Sequence, residues 1–147
     1  MNNYNSLGAV IAGINGNAVH RLPQTRELVC ISAPKVQKNF MRLEILMGTQ
    51  KSHFAYRLAW ANSSSERIPF LPLHRRDLVS AQEGNRTFVG ESGDRINWKK
   101  FEIMGDVIVG IQKSQSVPFP EMKRNKETER MILEASFSKD DDVSVAL

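Results

Sequence analysis

Residues 68–112 constrain the fold of this chain more than any other stretch, because they carry two helical signals on either side of a polar, glycine-containing turn. The first arm, residues 68–82, ends at Glu83-Gly84-Asn85, where Gly84 predicts a helix stop because glycine adopts a positive φ without steric cost. The second arm begins near Asn97, whose side-chain oxygen can cap a helix. Apolar residues then recur on one helix face: Trp98, Phe101, Met104, Val107, Ile108 and Ile111. The pattern predicts a helical hairpin.

Further helices are predicted before and after this hairpin from apolar spacing and end signals. Asn5 or Ser6 is placed to cap the first and Gly16 to stop it, and Ser52 is placed to cap the fourth. In the fourth helix, Phe54 and Leu58 are expected to point inward. No stretch alternates polar and apolar residues for long, so strands are not needed, and the predicted class is all-α, a helical bundle with a protruding hairpin. The additional predicted helices are residues 7–14, 22–28, 34–47, 52–58 and 127–137.

Length and charge set limits on the kind of partner. A chain of 147 residues suits one domain with a single core, and 41% hydrophobic and 24% charged residues are ordinary for a globular protein. The formal net charge of +4 permits an acidic partner, but the basic residues are scattered along the chain. Without an arginine-rich recognition helix or an aromatic stacking platform, nucleic acid is not an expected partner.

The sequence lacks the patterns that covalent or metal chemistry requires. Cys30 is the only cysteine, and together with three histidines it gives no ligand set at zinc-site spacing, so neither a metal nor a cofactor is expected. There is no nucleophile–base pattern and no phosphate-binding G-x-x-x-x-G-K-[ST] loop. The apolar run of residues 7–14 is too short to span a bilayer and has no basic flank. We therefore expect a cytoplasmic or nuclear-cytoplasmic protein without stable membrane insertion.

Six short strings together resemble a known family. The chain from residue 2 to residue 115 is similar to the Cdc25-homology (RasGEF) catalytic domain of Ras-family guanine-nucleotide exchange factors, and residues 68–73 with 83–88 resemble its Rap-directed branch, which includes Epac. The strings occur in the family's order and approximate spacing at residues 3–7, 12–15, 19–22, 68–71, 83–85 and 96–98.

The resemblance implies a function and a partner. Members of this family bind a Ras-like GTPase and stabilise its nucleotide-free form, so that GDP leaves and GTP enters, and they make or break no bond themselves. The implied partner is a Ras/Rap-type small GTPase, which can recruit the chain to the inner face of the plasma membrane. The hairpin at about residues 68–112 would then hold the GTPase switch loop away from the nucleotide.

Residue by residue, the resemblance implies two catalytic positions on the first arm. Glu83 matches the glutamate that reaches the GTPase phosphate-binding loop, and Val79 matches the side chain that is pushed toward the magnesium site. Other residues of this arm are implied to face the GTPase, with Asn85 ending the arm and fixing the turn: Phe70, Pro72, Arg76 and Asn85. A second set is implied to contact the second switch region: Asn15, Asn17, His20 and His53.

Many of these residues also have an ordinary structural interpretation. Glu83-Gly84-Asn85 is a plausible helix end without any partner, and Phe70 and Val79 are of a type more often found in a core. Lone histidines such as His20 and His53 are usually partly buried structural residues. Asn15 beside Gly16 is equally a helix-end signal.

The departures from the family pattern suggest a partial domain. The family domain has a first half that precedes the region matched here, so we interpret residues 1–138 as the C-terminal portion of a RasGEF domain and residues 139–147 as a frayed acidic tail. Apolar faces of the first helices would then lack partners, which predicts self-association or a need for a second chain. A rival hypothesis is a catalytically silent module that binds a GTPase or another protein without promoting exchange.

Overall fold

The computed structural model describes residues 2–120 and 123–135, and within them the fold is all-α, as predicted. The predicted tail at residues 139–147 lies outside this range, and the last helix, predicted to run from 127 to 137, ends at Leu133 instead. The helices are α1 Tyr4–Ile14, α2 Asn17–His20, α3 Pro23–Ser32, α4 Pro34–Met47, α5 Gln50–Asn62, α6 Leu71–Gly84, α7 Trp98–Gln115 and α8 Lys126–Leu133.

Strands occur as short pairings, although the sequence pattern did not require them. β1 (Asn2–Asn3) pairs in parallel with β2 (Arg67–Ile68), and β3 (Phe88–Val89) pairs antiparallel with β4 (Arg95–Ile96). Two residues are too few to produce a visible alternation, which is why the pattern missed them. The β3–β4 turn contains Gly90 and Gly93, both with positive φ, so the loop of the predicted hairpin is a small β-ribbon.

The structure divides into two compact units, which we describe separately. Residues 2–8 and 56–118 belong to the first, and the described residues 9–55, 119–120 and 123–135 belong to the second. The first unit contains the predicted hairpin, in which α6 packs against α7.

An aromatic cluster forms the core of the first unit. Tyr56 is fully buried, and its ring lies edge-on to Tyr4 at 5.2 Å, to Phe70 at 6.1 Å and to His74 at 5.8 Å between centroids. Trp60 stacks on the other side of the cluster, 6.3 Å from Tyr56 and 4.4 Å from His74. Aromatic pairs at such distances each add about 0.5–1.5 kcal/mol beyond the burial of their area.

The inward face of α7 differs from the predicted one. Trp98, at 72% exposed, and Phe101 face solvent, whereas Lys100 and Ser114 are buried. A hydrophobic pattern assigns polar residues to the outside, but both of these polar groups have hydrogen-bond partners on neighbouring elements, which offsets the cost of burying them.

The second unit is built around the packing of α3 against α4. Pro23 and Pro34 lie in the first turns of these helices, where a missing N–H costs nothing, and Gly48 follows the last residue of α4.

The cap of α1 is not the predicted one. The Oδ1 atom of Asn3 accepts the Ser6 N–H at 2.9 Å, and the helix begins before Asn5.

The start of α5 also departs from the prediction. Lys51, Ser52 and His53 have φ values of 47°, 54° and 60°, so Ser52 lies in a left-handed turn instead of capping a right-handed helix. Phe54 and Leu58 are exposed rather than inward. His53 and Tyr56 are the buried residues of this segment.

Candidate functional site

Four of the residues singled out from the sequence share one exposed stripe of α6. Pro72, Arg76, Val79 and Glu83 follow each other at spacings of four, three and four residues, which puts them within a narrow arc of the helix surface. All four are exposed, Val79 at 45%. The buried residues Leu73, His74 and Ala81 lie on the opposite side of the helix. We call the four exposed residues the α6 stripe.

An open groove of about 720 Å³ runs beside the stripe. Pro72, Arg76 and Val79 line it, and so do Leu71 and Arg75 of the same helix. Apolar side chains next to two guanidinium groups suit a protein segment with both apolar and acidic residues.

Glu83 is the unusual member of the stripe. It lies in the last turn of α6, where the partial negative charge of the helix end disfavours a carboxylate by about 0.3–1 kcal/mol. Within residues 2–120 and 123–135, its carboxylate forms no ion pair. A residue that breaks a local rule without a compensating contact suggests a function rather than a contribution to stability.

The end of α6 is two residues later than the predicted end of the first arm at Gln82, and it has a different geometry. Gly84 is the last helical residue and is not in the left-handed region, and Asn85 follows it in an extended conformation with φ −128°. The side-chain amide of Asn85 donates to the Ala81 carbonyl at 3.0 Å, so Asn85 itself satisfies a carbonyl at the helix end.

Side chains from α7 and the residue before it hold the segment that follows. Asn97 precedes α7 as predicted, but its side-chain amide donates to the Arg86 carbonyl at 2.9 Å instead of capping α7. Its backbone N–H donates to the Thr87 carbonyl at 2.9 Å. The ammonium of Lys100 donates to the Gln82 carbonyl and to Thr87 Oγ1, each at 3.0 Å.

The start of α6 is held by a buried hydrogen-bond chain that the sequence analysis missed. The Phe70 N–H donates to the Tyr56 hydroxyl at 2.8 Å, and that hydroxyl lies 2.8 Å from His74 Nε2. Burial raises the pKa of Tyr56 to about 12, and burial also lowers the pKa of His74. A neutral His74 can accept a hydrogen bond from the Tyr56 hydroxyl at Nε2. The sequence contained one signal for this cluster, the four-residue spacing of the aromatic residues Tyr56 and Trp60. The prediction placed Phe54 and Leu58, which have the same spacing, on the inward face of this helix.

An ion pair adds a further tie on α6. Arg57 Nη2 lies 2.6 Å from Asp77 Oδ2, with both side chains partly exposed. A pair in such a setting contributes up to about 1 kcal/mol. Together with the buried chain, it connects α5 to the first half of α6.

The second predicted set lies mainly in the second unit near the end of α1 and in α2. The side chain of Asn15 is used within the protein, accepting from Arg26 Nη2 at 3.1 Å and donating to Glu44 Oε1 at 2.6 Å. Asn17 and His20 are exposed at the two ends of α2. His53 is only 7% exposed. Asn17 and His20 are thus open to a partner, whereas Asn15 also braces the fold.

The described part of the chain contains neither a metal-binding group nor a membrane-spanning helix. No group of three or more His, Cys, Asp or Glu residues within it could hold a metal ion. No helix within it has both the length and the apolar composition needed to cross a membrane.

Comparison with known proteins finds consistent relatives. The family profile of the RasGEF domain matches residues 1–102. Human Rap guanine nucleotide exchange factor 5 is 31% identical over 127 residues, which cover 86% of this chain and 21% of that protein. Ras guanine nucleotide exchange factor A of Dictyostelium discoideum is 34% identical over 123 residues, covering 81% and 20%. Human Rap guanine nucleotide exchange factor 3 is 38% identical over 102 residues, covering 69% and 10%. The matched region thus spans about a fifth or less of each of these relatives.

Proposed function

The chain belongs to the RasGEF domain family, and from that premise we propose that it is a guanine-nucleotide exchange factor for a Ras/Rap-type small GTPase. The relatives named Rap or Ras guanine nucleotide exchange factors support this function. The single observation that carries it is the exposed α6 stripe, presented by a helix that is fixed at both ends. Such a protein regulates a GTPase and catalyses no covalent step.

The proposed mechanism uses α6 and α7 as a wedge against the GTPase switch loop. Val79 would exclude water and Mg²⁺ from the nucleotide site, because an apolar side chain cannot replace the ligands of the ion. The carboxylate of Glu83 would repel the phosphate charge. A helix held at both ends can keep the switch loop displaced without yielding itself, and the switch loop is a segment already able to move.

Exchange then follows from linkage between the two binding events. If the chain weakens nucleotide binding to the GTPase by some factor, nucleotide weakens the binding of the chain by the same factor. GDP leaves in the presence of the chain, and GTP, once bound, displaces it. No chemistry by the chain itself is required.

The remaining predicted residues are expected to provide binding rather than displacement. Pro72 and Arg76 on α6 would contact the switch loop, together with Phe70 immediately before the helix, and Asn85 would fix the turn. Of the residues implied to contact the second switch region, Asn15, Asn17 and His20 are exposed and would do so directly, whereas a contact by His53 would require its 7%-exposed side chain to become accessible. Through this GTPase, the chain would be recruited to the inner face of the plasma membrane.

Release of a fluorescent GDP analogue tests the proposal. Release from Ras and from Rap is measured with the wild-type chain, with Glu83→Ala and with the matched control Glu91→Ala, which removes another exposed carboxylate. We expect the wild type and Glu91→Ala to accelerate release equally. Glu83→Ala should lower the accelerated rate about tenfold or more, since a tenfold loss corresponds to about 1.4 kcal/mol.

Two results would contradict the proposal in different ways. A folded chain that never raises release above the intrinsic rate is not an exchange factor. Acceleration that is identical for Glu83→Ala and Glu91→Ala would leave the exchange function standing and refute the role of Glu83.

A second candidate function is a catalytically silent module that binds a GTPase or another protein. The observation that favours it is the exposure of large apolar side chains on α3 and α4, namely Leu28, Ile31, Val36 and Ile45. Exposed apolar surface of this kind is usually covered by a partner or a second copy. Sedimentation of the chain alone and with nucleotide-free GTPase distinguishes self-association from GTPase binding, and this candidate predicts complex formation without faster GDP release.

A further inference from the structure

Lys100 is the one lysine that is buried among the described residues, at 2% exposed. Lysine is almost never fully buried unless its charge is paired, because taking an ammonium group out of water is costly. Within residues 2–120 and 123–135 it takes part in no ion pair with a carboxylate. Its burial therefore needs another explanation.

The two groups that accept hydrogen bonds from Lys100 flank Glu83 in the sequence. One is the carbonyl of Gln82, immediately before Glu83 in the last turn of α6, and the other is Oγ1 of Thr87 in the segment that follows the helix. A single ammonium on α7 thus joins the backbone on one side of Glu83 to the side chain of Thr87 on the other side. The cation also lies at the negative end of α6, where positive charge is favourable.

We propose that Lys100 is a positioning residue that sets the direction in which α6 presents Glu83; this inference rests on the proposed exchange function. The stripe residues Arg76 and Val79 lie more than one turn from either end of the helix, but Glu83 is in its last turn, where helices fray. A side chain in a frayed turn cannot be held at a fixed place against a partner. Lys100 removes this freedom by closing the turn from α7 without touching the exposed face.

The test replaces Lys100 with methionine, which keeps the apolar stem and removes all three donors. At saturating chain, we expect Lys100→Met to slow release of the fluorescent GDP analogue about tenfold, and by no more than Glu83→Ala does, because a positioning residue cannot contribute more than the side chain that it positions. Lys99→Met is the matched control. Lys99 is exposed and paired with Glu102 at 2.8 Å, so its loss should leave the rate unchanged.

A double-mutant cycle separates positioning from general stability. If Lys100 acts through Glu83, Lys100→Met should cause no further slowing when Glu83 is already alanine. A loss that is the same in both backgrounds overturns the proposal, because a purely structural defect does not depend on the carboxylate.

Hydrogen exchange gives a readout that does not depend on the GTPase. The amides of residues 83–87 should exchange faster in Lys100→Met than in the wild type, with unchanged protection elsewhere in α7. Thr87→Val, which leaves the bond to Gln82, provides a milder variant and should give a smaller change in the same direction. Unchanged exchange at residues 83–87 in both variants overturns the positioning role, whether or not the wild-type chain accelerates GDP release; absence of acceleration by the wild type refutes the exchange function itself.

Discussion

Gly110 is the position at which the packing of α7 can be tested most sharply. A Cβ atom built there would lie 2.6 Å from Trp60 Cη2 and 3.3 Å from Cζ3, whereas ordinary contacts begin near 3.4 Å. The indole cannot retreat easily, because its Nε1 donates to Ser114 Oγ at 3.0 Å and its ring lies 4.4 Å from that of His74. Overpacking of this kind costs about 1–3 kcal/mol.

Gly105 provides a matched control on the same helix, since a Cβ atom there would meet nothing within 4 Å. Alanine gains about 1 kcal/mol over glycine in a helix interior at either site. The difference in unfolding free energy between Gly105→Ala and Gly110→Ala therefore isolates the overlap, and we expect the second variant to be less stable by about 1–3 kcal/mol. Urea denaturation followed by circular dichroism measures this difference, provided that the slope m is the same in both variants. Equal midpoints would refute the close approach of Trp60 to α7.

Two further predictions concern the buried chain at the start of α6. Tyr56→Phe should lower the unfolding free energy by about 1–3 kcal/mol in chemical denaturation, because the Phe70 N–H loses its acceptor; an unchanged midpoint would argue against that bond. Burial lowers the pKa of His74 below its ordinary 6.5, so the unfolded chain takes up this proton at a higher pH than the folded one. The His74 contribution should therefore be constant above pH 6.5 and fall on acidification by up to about 1.4 kcal/mol per pH unit, until the folded-state pKa is reached. Denaturation of the wild type and of His74→Gln across about pH 5 to 8 measures that decline, which should be missing in the variant.

Helix positions were predictable from the sequence because end signals act locally. Pro34 begins α4, Gly48 follows its last residue, and Asn97 directly precedes α7. A proline in the first turn and a residue at a helix end each affect only the few backbone groups beside them, so their effect can be predicted from the local sequence. The all-α class followed from these signals, and the family match confirms the resemblance drawn from six short strings. Neither inference needed a contact between distant residues.

Which face of a helix is buried was less predictable, because that depends on partners far away in the sequence. Lys100 is buried because it donates a hydrogen bond to a carbonyl of α6, and Ser114 is buried because it accepts one from the indole of Trp60. Neither partner lies on α7, so the residue pattern of α7 cannot indicate it. Likewise, Tyr56 was not predicted as a core residue, because its hydrogen-bond partners, Phe70 and His74, lie elsewhere in the sequence. Apolar periodicity finds hydrophobic faces and overlooks buried polar groups that are satisfied.

The candidate site shows the same division. Spacing alone places Val79 and Glu83 on one helix face, but a valine at such a position is ordinarily assigned to the core, and only the resemblance assigned it to a partner. In the structure the core-facing side of α6 is already occupied by Leu73, His74 and Ala81, so Val79 is left to solvent. An exposed apolar residue beside a carboxylate that opposes its own helix dipole does not stabilise the free chain, and the proposed binding of a GTPase would account for both features. The hydrogen bonds at the two ends of α6, to Tyr56 at its start and from Lys100 at its end, stabilise the helix from its buried side. The exposed stripe is therefore not required for the stability of the helix.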